Sequence, residues 1–195
     1  MSKMGQIALI ALGSNEESVW GDATETVQKA MLSVAALADA PAKLGGLFET
    51  PAFPAGAGPD FVNASMAIAT TRPAADLLAA LHAIEADAGR HRTRRWGQRT
   101  LDLDLIAVGD DVLPDRQTHQ KWRDLPLDVQ QRDAPDELIL PHPRLQDRAF
   151  VLVPLLDVAP DWRHPLLGKT IAQMCAALPD AMRAEVTRLS DPQAS

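Results

Sequence analysis

Two hydrophobic periods alternate along this chain, and their order lays out its elements. Residues 7–12 form a continuous apolar run closed by Gly13, the pattern of a buried strand. Between Asp22 and Ala38, Val27, Met31, Val34 and Leu37 recur at helical spacing, with Asp22 available as a cap and Pro41 as the break. Residues 43–50 read as a second strand, followed by a loop rich in Pro, Ala and Gly over 51–59. In 61–70, Phe61, Asn63 and Ser65 alternate with Val62, Ala64 and Met66, which predicts a third strand. Pro73 suits a first helical turn, and Leu77, Leu78, Leu81 and Ile84 mark a buried stripe running up to Gly89. Residues 100–108 are the fourth strand, closed by the turn signal Gly109-Asp110-Asp111.

Strand, helix, strand, strand, helix, strand is the split pattern of a ferredoxin-like α/β sandwich. The expected class is therefore α+β, with a mainly antiparallel sheet, two helices on one face and the other face free for a ligand. Residues 1–179 would make a single domain. A polar insertion at 114–136, containing His119 and Trp122, reads as a mobile surface loop. Residues 170–178 have helical spacing, and 180–195 read as a C-terminal tail.

Within that frame, the junction between the second helix and the fourth strand carries the chemistry. Five arginines fall between Arg90 and Arg99, and the strand that follows places Asp102 and Asp104 at alternate positions. A strand repeats its side-chain direction every two residues, so both carboxylates share one face while Leu101, Leu103 and Leu105 share the other. At the roughly 6–7 Å spacing of alternate strand residues, their repulsion is about 2–3 kcal/mol at an effective dielectric near 20. A half-exposed strand with solvated acids gives the same alternation. Charge distribution favours the chemical reading. The chain has 19 basic and 26 acidic residues, net −7. Residues 90–99 hold five of the basic residues and no acid, leaving the remainder, with 14 basic and 26 acidic, at −12. A cationic island against paired carboxylates fits divalent metal ions holding a polyphosphate.

Composition bounds the rest. At 195 residues and 46% hydrophobic content, the chain reads as one soluble globular domain. Net acidity argues against generic nucleic-acid or anionic-membrane binding. The one cysteine, Cys175, excludes an internal disulfide and reads as buried filler. No run has the length of a membrane span, and 7–12 is shorter than a signal-peptide core, so a cytoplasmic location is expected.

Together the motifs resemble one family, the 6-hydroxymethyl-7,8-dihydropterin pyrophosphokinases of folate biosynthesis. The matching stretches are Ala11-Leu12-Gly13-Ser14-Asn15, Glu49-Thr50-Pro51, Phe61-Val62-Asn63-Ala64 and Gly89-Arg90-His91-Arg92. They continue through Arg95-Trp96-Gly97-Gln98-Arg99-Thr100-Leu101-Asp102-Leu103-Asp104-Leu105, Pro141-His142-Pro143-Arg144 and Arg148-Ala149-Phe150-Val151-Leu152. The resemblance covers about residues 6–178 and implies transfer of the diphosphoryl group of ATP to the pterin's hydroxymethyl oxygen, releasing AMP. It implies that Asp102 and Asp104 hold two Mg²⁺ ions. By the same match Arg90, Arg92, Arg99, His142 and Arg148 contact ATP, with Arg90 and Arg92 catalytic alongside the aspartates. Thr50, Pro51, Phe61, Asn63, Trp96 and Phe150 form the pterin site, the rings of Phe61 and Phe150 stacking on the heterocycle. Glu85 aligns with a helix carboxylate near the nucleotide, although a solvated helix face accounts for it equally. The segment between Gly89 and Trp96 is one residue shorter than in some relatives, which leaves Arg92 and Arg94 as alternatives at the phosphates. The implied partners are the two small-molecule substrates, with no nucleic acid or membrane, and the implied state is a monomer.

Three other readings compete. A nucleotidyltransferase pairs a Gly-Ser loop with a D-x-D strand, but Gly13-Ser14 lies far too distant from Asp102 for that motif. An RNA-binding ferredoxin-like sheet needs aromatics on its central strands and a broad basic face, whereas this chain has eight aromatics and carboxylates there. A non-catalytic homologue is disfavoured because both aspartates and the principal arginines are present.

Overall fold

The fold is described from a computed structural model over residues 5–52, 58–89, 100–126, 129 and 135–190. Its first half follows the predicted order. Strand β1 (Gln6–Ser14) leads to helix α1 (Ala23–Ala35), then β2 (Lys43–Leu44), β3 (Phe48–Thr50), β4 (Phe61–Thr70), α2 (Ala74–Asp87) and β5 (Asp102–Val108). Helix α1 starts where the sequence places it. Asp22 accepts a hydrogen bond from the Glu25 amide and Glu25 reaches back to the Asp22 amide, a reciprocal capping box. The strands form one antiparallel sheet in the order β5-β1-β4-β3, extended by a sixth strand, with β2 also pairing β4.

One face of the sheet is sealed by α1 and α2. Ile10, Leu12, Met66, Ile68, Leu103 and Leu105 pack there against Val27, Val34, Leu77 and Leu81. Each fully buried aliphatic side chain of this kind contributes roughly 1.5–3 kcal/mol. The alternation along β1 sends Leu9 and Ala11 to the opposite face. A register shift between Leu9 and Ile10 leaves Ile106 as an extra residue in β5, so Ile106 and Ala107 both join that second face.

The second face is not wholly free for a ligand. The segment 145–178 folds onto half of it, through a 3-10 turn (Leu145–Asp147), α4 (Ala149–Leu155) and α5 (Ile171–Ala177). Leu145, Leu152, Leu155, Met174 and Cys175 bury Leu9, Ala11, Ala67 and Ile106. Among the described residues, Gly13, Asn63 and Asp102, at one end of this face, lie outside that apolar cluster.

Three further expectations change. The second strand is two short strands, parted at Gly45-Gly46, where a Cβ on Gly45 would lie 2.8 Å from the Ser65 carbonyl oxygen. The insertion is not simply a loop, since residues 116–123 form helix α3 with His119 fully buried beneath it. The expected tail contributes helix α6 (Asp180–Ala184) and the sixth strand, β6 (Thr187–Arg188), which pairs with β3. Arg188 holds it there with both nitrogen-to-oxygen contacts to Asp157 at 2.5 and 2.6 Å, and its guanidinium lies 4.7 Å over the Phe48 ring. No helix among the described residues is long and apolar enough to cross a membrane.

Candidate active site

The register of the sheet places the predicted residues in rows. Phe48 lies opposite Asn63, Asn63 opposite Gly13, and Gly13 opposite Asp102, so these four form a line across four strands. The neighbouring row is Ser65, Ala11 and Asp104. Directly opposed residues share a face, so Asn63, Asp102 and Asp104 all project from the open end of the second face. Asn63 and Asp102 are two strand spacings apart, about 10 Å. Gly13, lying between them, has no side chain, which leaves a trough. A Cβ at Gly13 would come within 3.1 Å of Asn63 Oδ1.

At one side of the trough the polar groups are buried and fixed. Asn63 Nδ2 donates to Thr50 Oγ1 at 2.8 Å, and both residues are buried. That bond commits one amide hydrogen; the same side-chain amide carries a second hydrogen and a carbonyl oxygen, a donor and an acceptor on one group. Phe61, opposite Thr50, begins β4 and is partly buried; Pro51 is exposed just beyond β3. The Phe150 ring, in the first turn of α4, is 42% exposed, unusual for a phenylalanine in a chain with an ample core.

The other side is charged. Arg148 Nη1 lies 3.6 Å from Asp104 Oδ2, and the Arg148 guanidinium stands 5.6 Å from the centroid of the Phe150 ring. His142 arrives on a segment that runs along the outer edge of β5, its amide donating to the Ile106 carbonyl at 2.8 Å. Its Nδ1 accepts from the Arg144 amide at 3.1 Å, so the ring proton resides on Nε2. Burial, then the charges of Arg148 and Arg144, hold the His142 imidazole well below its usual pKa, and Asp102 only partly offsets them. At neutral pH it is therefore a neutral N–H donor. Arg144 is lowered by burial and by Arg148, with Asp147 opposing, but a guanidinium stays charged throughout. Two carboxylates, two arginines and a neutral imidazole thus converge on one end of the sheet.

Two further residues, Glu85 and Ser14, tie β5 and its entry to the rest of the fold. Glu85 is not on a solvated helix face; it is buried, and Oε1 accepts the Leu103 amide of edge strand β5 at 2.8 Å. The signal was its place at the same four-residue step as Leu77 and Leu81 on the α2 stripe. Ser14 Oγ donates to the Thr100 carbonyl at 2.6 Å, tying the end of β1 to the entry of β5. Arg90, Arg92, Arg94, Trp96 and Arg99 lie outside the described residues.

An acidic pair and basic groups thus lie at one end of a sheet of the ferredoxin-like α+β class. Comparison with known sequences sharpens that class: residues 9–160 match the family model for 7,8-dihydro-6-hydroxymethylpterin-pyrophosphokinase (HPPK), and the chain belongs to that family. It is 42% identical over 116 residues to the 2-amino-4-hydroxy-6-hydroxymethyldihydropteridine pyrophosphokinase of a Synechocystis species, covering 60% of this chain and 49% of that one. It is 43% identical over 121 residues to the protein of the same name from Pseudomonas aeruginosa, covering 62% of each. Among solved structures, wild-type Plasmodium falciparum HPPK-DHPS with SDX-DHP superposes at a TM-score of 0.63 with 13% identity, over 96% of this chain and 48% of that one. That likeness concerns the fold. The matched region spans about half to three-fifths of the length of these relatives.

Proposed function

We propose that the protein transfers the diphosphoryl group of ATP to the hydroxymethyl oxygen of 6-hydroxymethyl-7,8-dihydropterin, releasing AMP, as a step of folate biosynthesis. The observation that supports this reading best is the single row Asn63–Gly13–Asp102, with an amide and a carboxylate on either side of a residue that has no side chain. About 10 Å of separation accommodates a flat two-ring heterocycle with its alcohol directed at the aspartates. Thr50 and Asn63 would read its polar edge, Pro51 would border the pocket, and the rings of Phe61 and Phe150 would stack on its faces.

The residues fit Mg²⁺. Among the described residues no three or more His, Cys, Asp or Glu are close enough together to hold a metal ion by themselves. Magnesium is commonly held instead by one or two carboxylates with the remaining positions filled by phosphate and water, which suits Asp102 and Asp104. Two ions bound there would neutralise charge on the phosphates and lower the pKa of the alcohol.

The chain's own groups do the rest. Arg148 and the His142 Nε2–H would hold phosphate oxygens, adding fixed positive charge and a donor where negative charge grows. Arg90, Arg92 and Arg99 are proposed as further phosphate contacts, and Trp96 as part of the pterin site. In the transfer, the alcohol oxygen forms a bond to the β-phosphorus, the bond from that phosphorus to the α-phosphate bridging oxygen breaks, and AMP leaves. The alcohol proton passes to solvent. The protein is taken to work as a cytoplasmic monomer on these two small molecules. Incubation with ATP, Mg²⁺ and the reduced pterin alcohol tests this reading: it yields AMP and pterin diphosphate, whereas ADP with a pterin monophosphate would overturn it.

A further inference from the structure

Strand β1 runs between β5 and β4, and the two residues at its end, Ser14 and Asn15, each bond to a different neighbour. On one side the β1–β5 ladder ends with Gly13 opposite Asp102. Beyond that pair, Ser14 Oγ reaches the Thr100 carbonyl at 2.6 Å, two residues before Asp102. A hydroxyl has one proton, and the Glu16 carbonyl is farther away at 3.2 Å, so the bond to Thr100 takes it. On the other side the β1–β4 ladder ends with Ser14 opposite Val62. Beyond that pair, Asn15 Nδ2 donates to the Pro59 carbonyl at 3.2 Å, two residues before Phe61. Asp60 in turn accepts the Ala52 amide at 3.4 Å, which ties the residue after Pro51 to the residue before Phe61. Ser14 is completely buried, and strand alternation turns it to the face opposite Gly13, away from the trough. Asn15 is buried as well.

We infer that Ser14 and Asn15 are positioning residues with divided duties, Ser14 for the metal–phosphate half of the site and Asn15 for the pterin half. The ends of a ladder open most easily, and here both ends carry site residues, Asp102 on β5 and Phe61 on β4. The Ser14 hydroxyl extends the β1–β5 connection past its last backbone pair and so fixes the direction in which β5 presents Asp102. The Asn15 amide does the same for the approach to β4, and through Asp60 and Ala52 it steadies Phe61 and Pro51 together. The two bonds leave adjacent residues toward opposite sides of β1, so losing one disturbs one ligand. Which ligand lies on each side rests on the proposed function; the two bonds do not.

The test is calorimetric titration of the full chain with two probes. The first is a non-hydrolysable ATP analogue with Mg²⁺; the second is the reduced pterin alcohol, added to protein saturated with the first. Ser14→Ala should weaken the analogue roughly three- to tenfold, the size of one lost neutral hydrogen bond, and leave the pterin unchanged. Ser14→Thr, which keeps the hydroxyl, should bind the analogue like the parent. Asn15→Ala should show the reverse split, with the pterin weakened by a similar factor and the analogue unchanged. If Ser14→Ala does not fold, Ser14→Cys, of similar size and with a weaker donor, should shift the analogue alone by a smaller factor. A parent chain that binds neither probe overturns the functional reading and this assignment with it. A parent that binds both, with variants that weaken both probes alike or neither, overturns this assignment alone, as does Ser14→Thr binding the analogue no better than Ser14→Ala.

Discussion

Arg148 Nη1 stands 3.6 Å from Asp104 Oδ2, joining the residue that precedes α4 to the edge strand of the sheet. An arginine so placed partly occupies the carboxylate that the proposed function gives to magnesium. With the Asp104 side chain 36% exposed, the pair adds little to stability, about 1 kcal/mol or less. Under the proposed function its consequence would be for ligand binding, where the guanidinium and the metal would compete for one carboxylate and cooperate on a polyphosphate.

Arg148→Ala accordingly has opposite effects on two ligands. Affinity for Mg²⁺ alone should rise several-fold by titration calorimetry, because a competing cation is gone. The KM for ATP should rise about tenfold or more, because a charged phosphate contact worth roughly 1.5–3 kcal/mol is lost. Weaker Mg²⁺ binding together with unchanged ATP binding would contradict this account of the pair.

Gly13→Ala separates stability from substrate recognition. The new methyl group would sit 3.1 Å from Asn63 Oδ1, tight enough to displace the amide that faces the trough. A strand glycine replaced by alanine gains about 0.5–1 kcal/mol where the backbone is extended. The variant should melt no lower than the parent while its pterin KM rises about tenfold and its ATP KM stays put. Equal changes in both KM values would mean that Gly13 does not line a pterin-specific space.

Acid should weaken the fold through its buried histidines. Burial, then the charges of His119 and Arg123, bring the His164 pKa down to about 4, against about 6.5 in the unfolded chain. Between those values the unfolded chain binds a proton that the folded one refuses. Stability from this source is complete above pH 6.5 and is lost as pH falls toward 4, reaching about 2 kcal/mol at pH 5. His119 and His142 are shifted in the same direction and add to the loss. Urea midpoints at pH 7.5 and pH 5 should differ less in His164→Asn than in the parent; an identical difference would remove His164 from this role.

How far the sequence carried the fold depends on how many residues each element uses to state its period. Strands β1, β4 and β5 have seven or more residues apiece, and alternation along β5 places Asp102 and Asp104 on one face, while the pairing of both β4 and β5 with β1 puts Asn63 on the same side. Strand β6 has two residues, too few for any period, and is held by Arg188 against Asp157 and Phe48, contacts distant in sequence. Helix α3 buries only His119 and shows no apolar stripe, so its polar sequence resembles a loop. The two glycines at 45 and 46 mark a break, but what they approach, the Ser65 carbonyl on β4 for Gly45 and the Arg188 side chain for Gly46, is a fact of tertiary packing. For the site, the sequence supplied the chemistry and the register supplied the arrangement. Cover of the second face by 145–178 was the feature least visible beforehand, because its apolar residues signal burial without naming the surface they bury.

The most direct measurement follows the phosphates of ATP. With Mg²⁺ and the pterin alcohol present, label at the γ- and β-positions should appear in the pterin product, and label at the α-position should remain in AMP. Asp102→Asn should lower that transfer by at least about 100-fold while its circular dichroism stays that of the parent. Label from the γ-phosphate alone reaching the pterin, or full transfer in Asp102→Asn, would contradict the account.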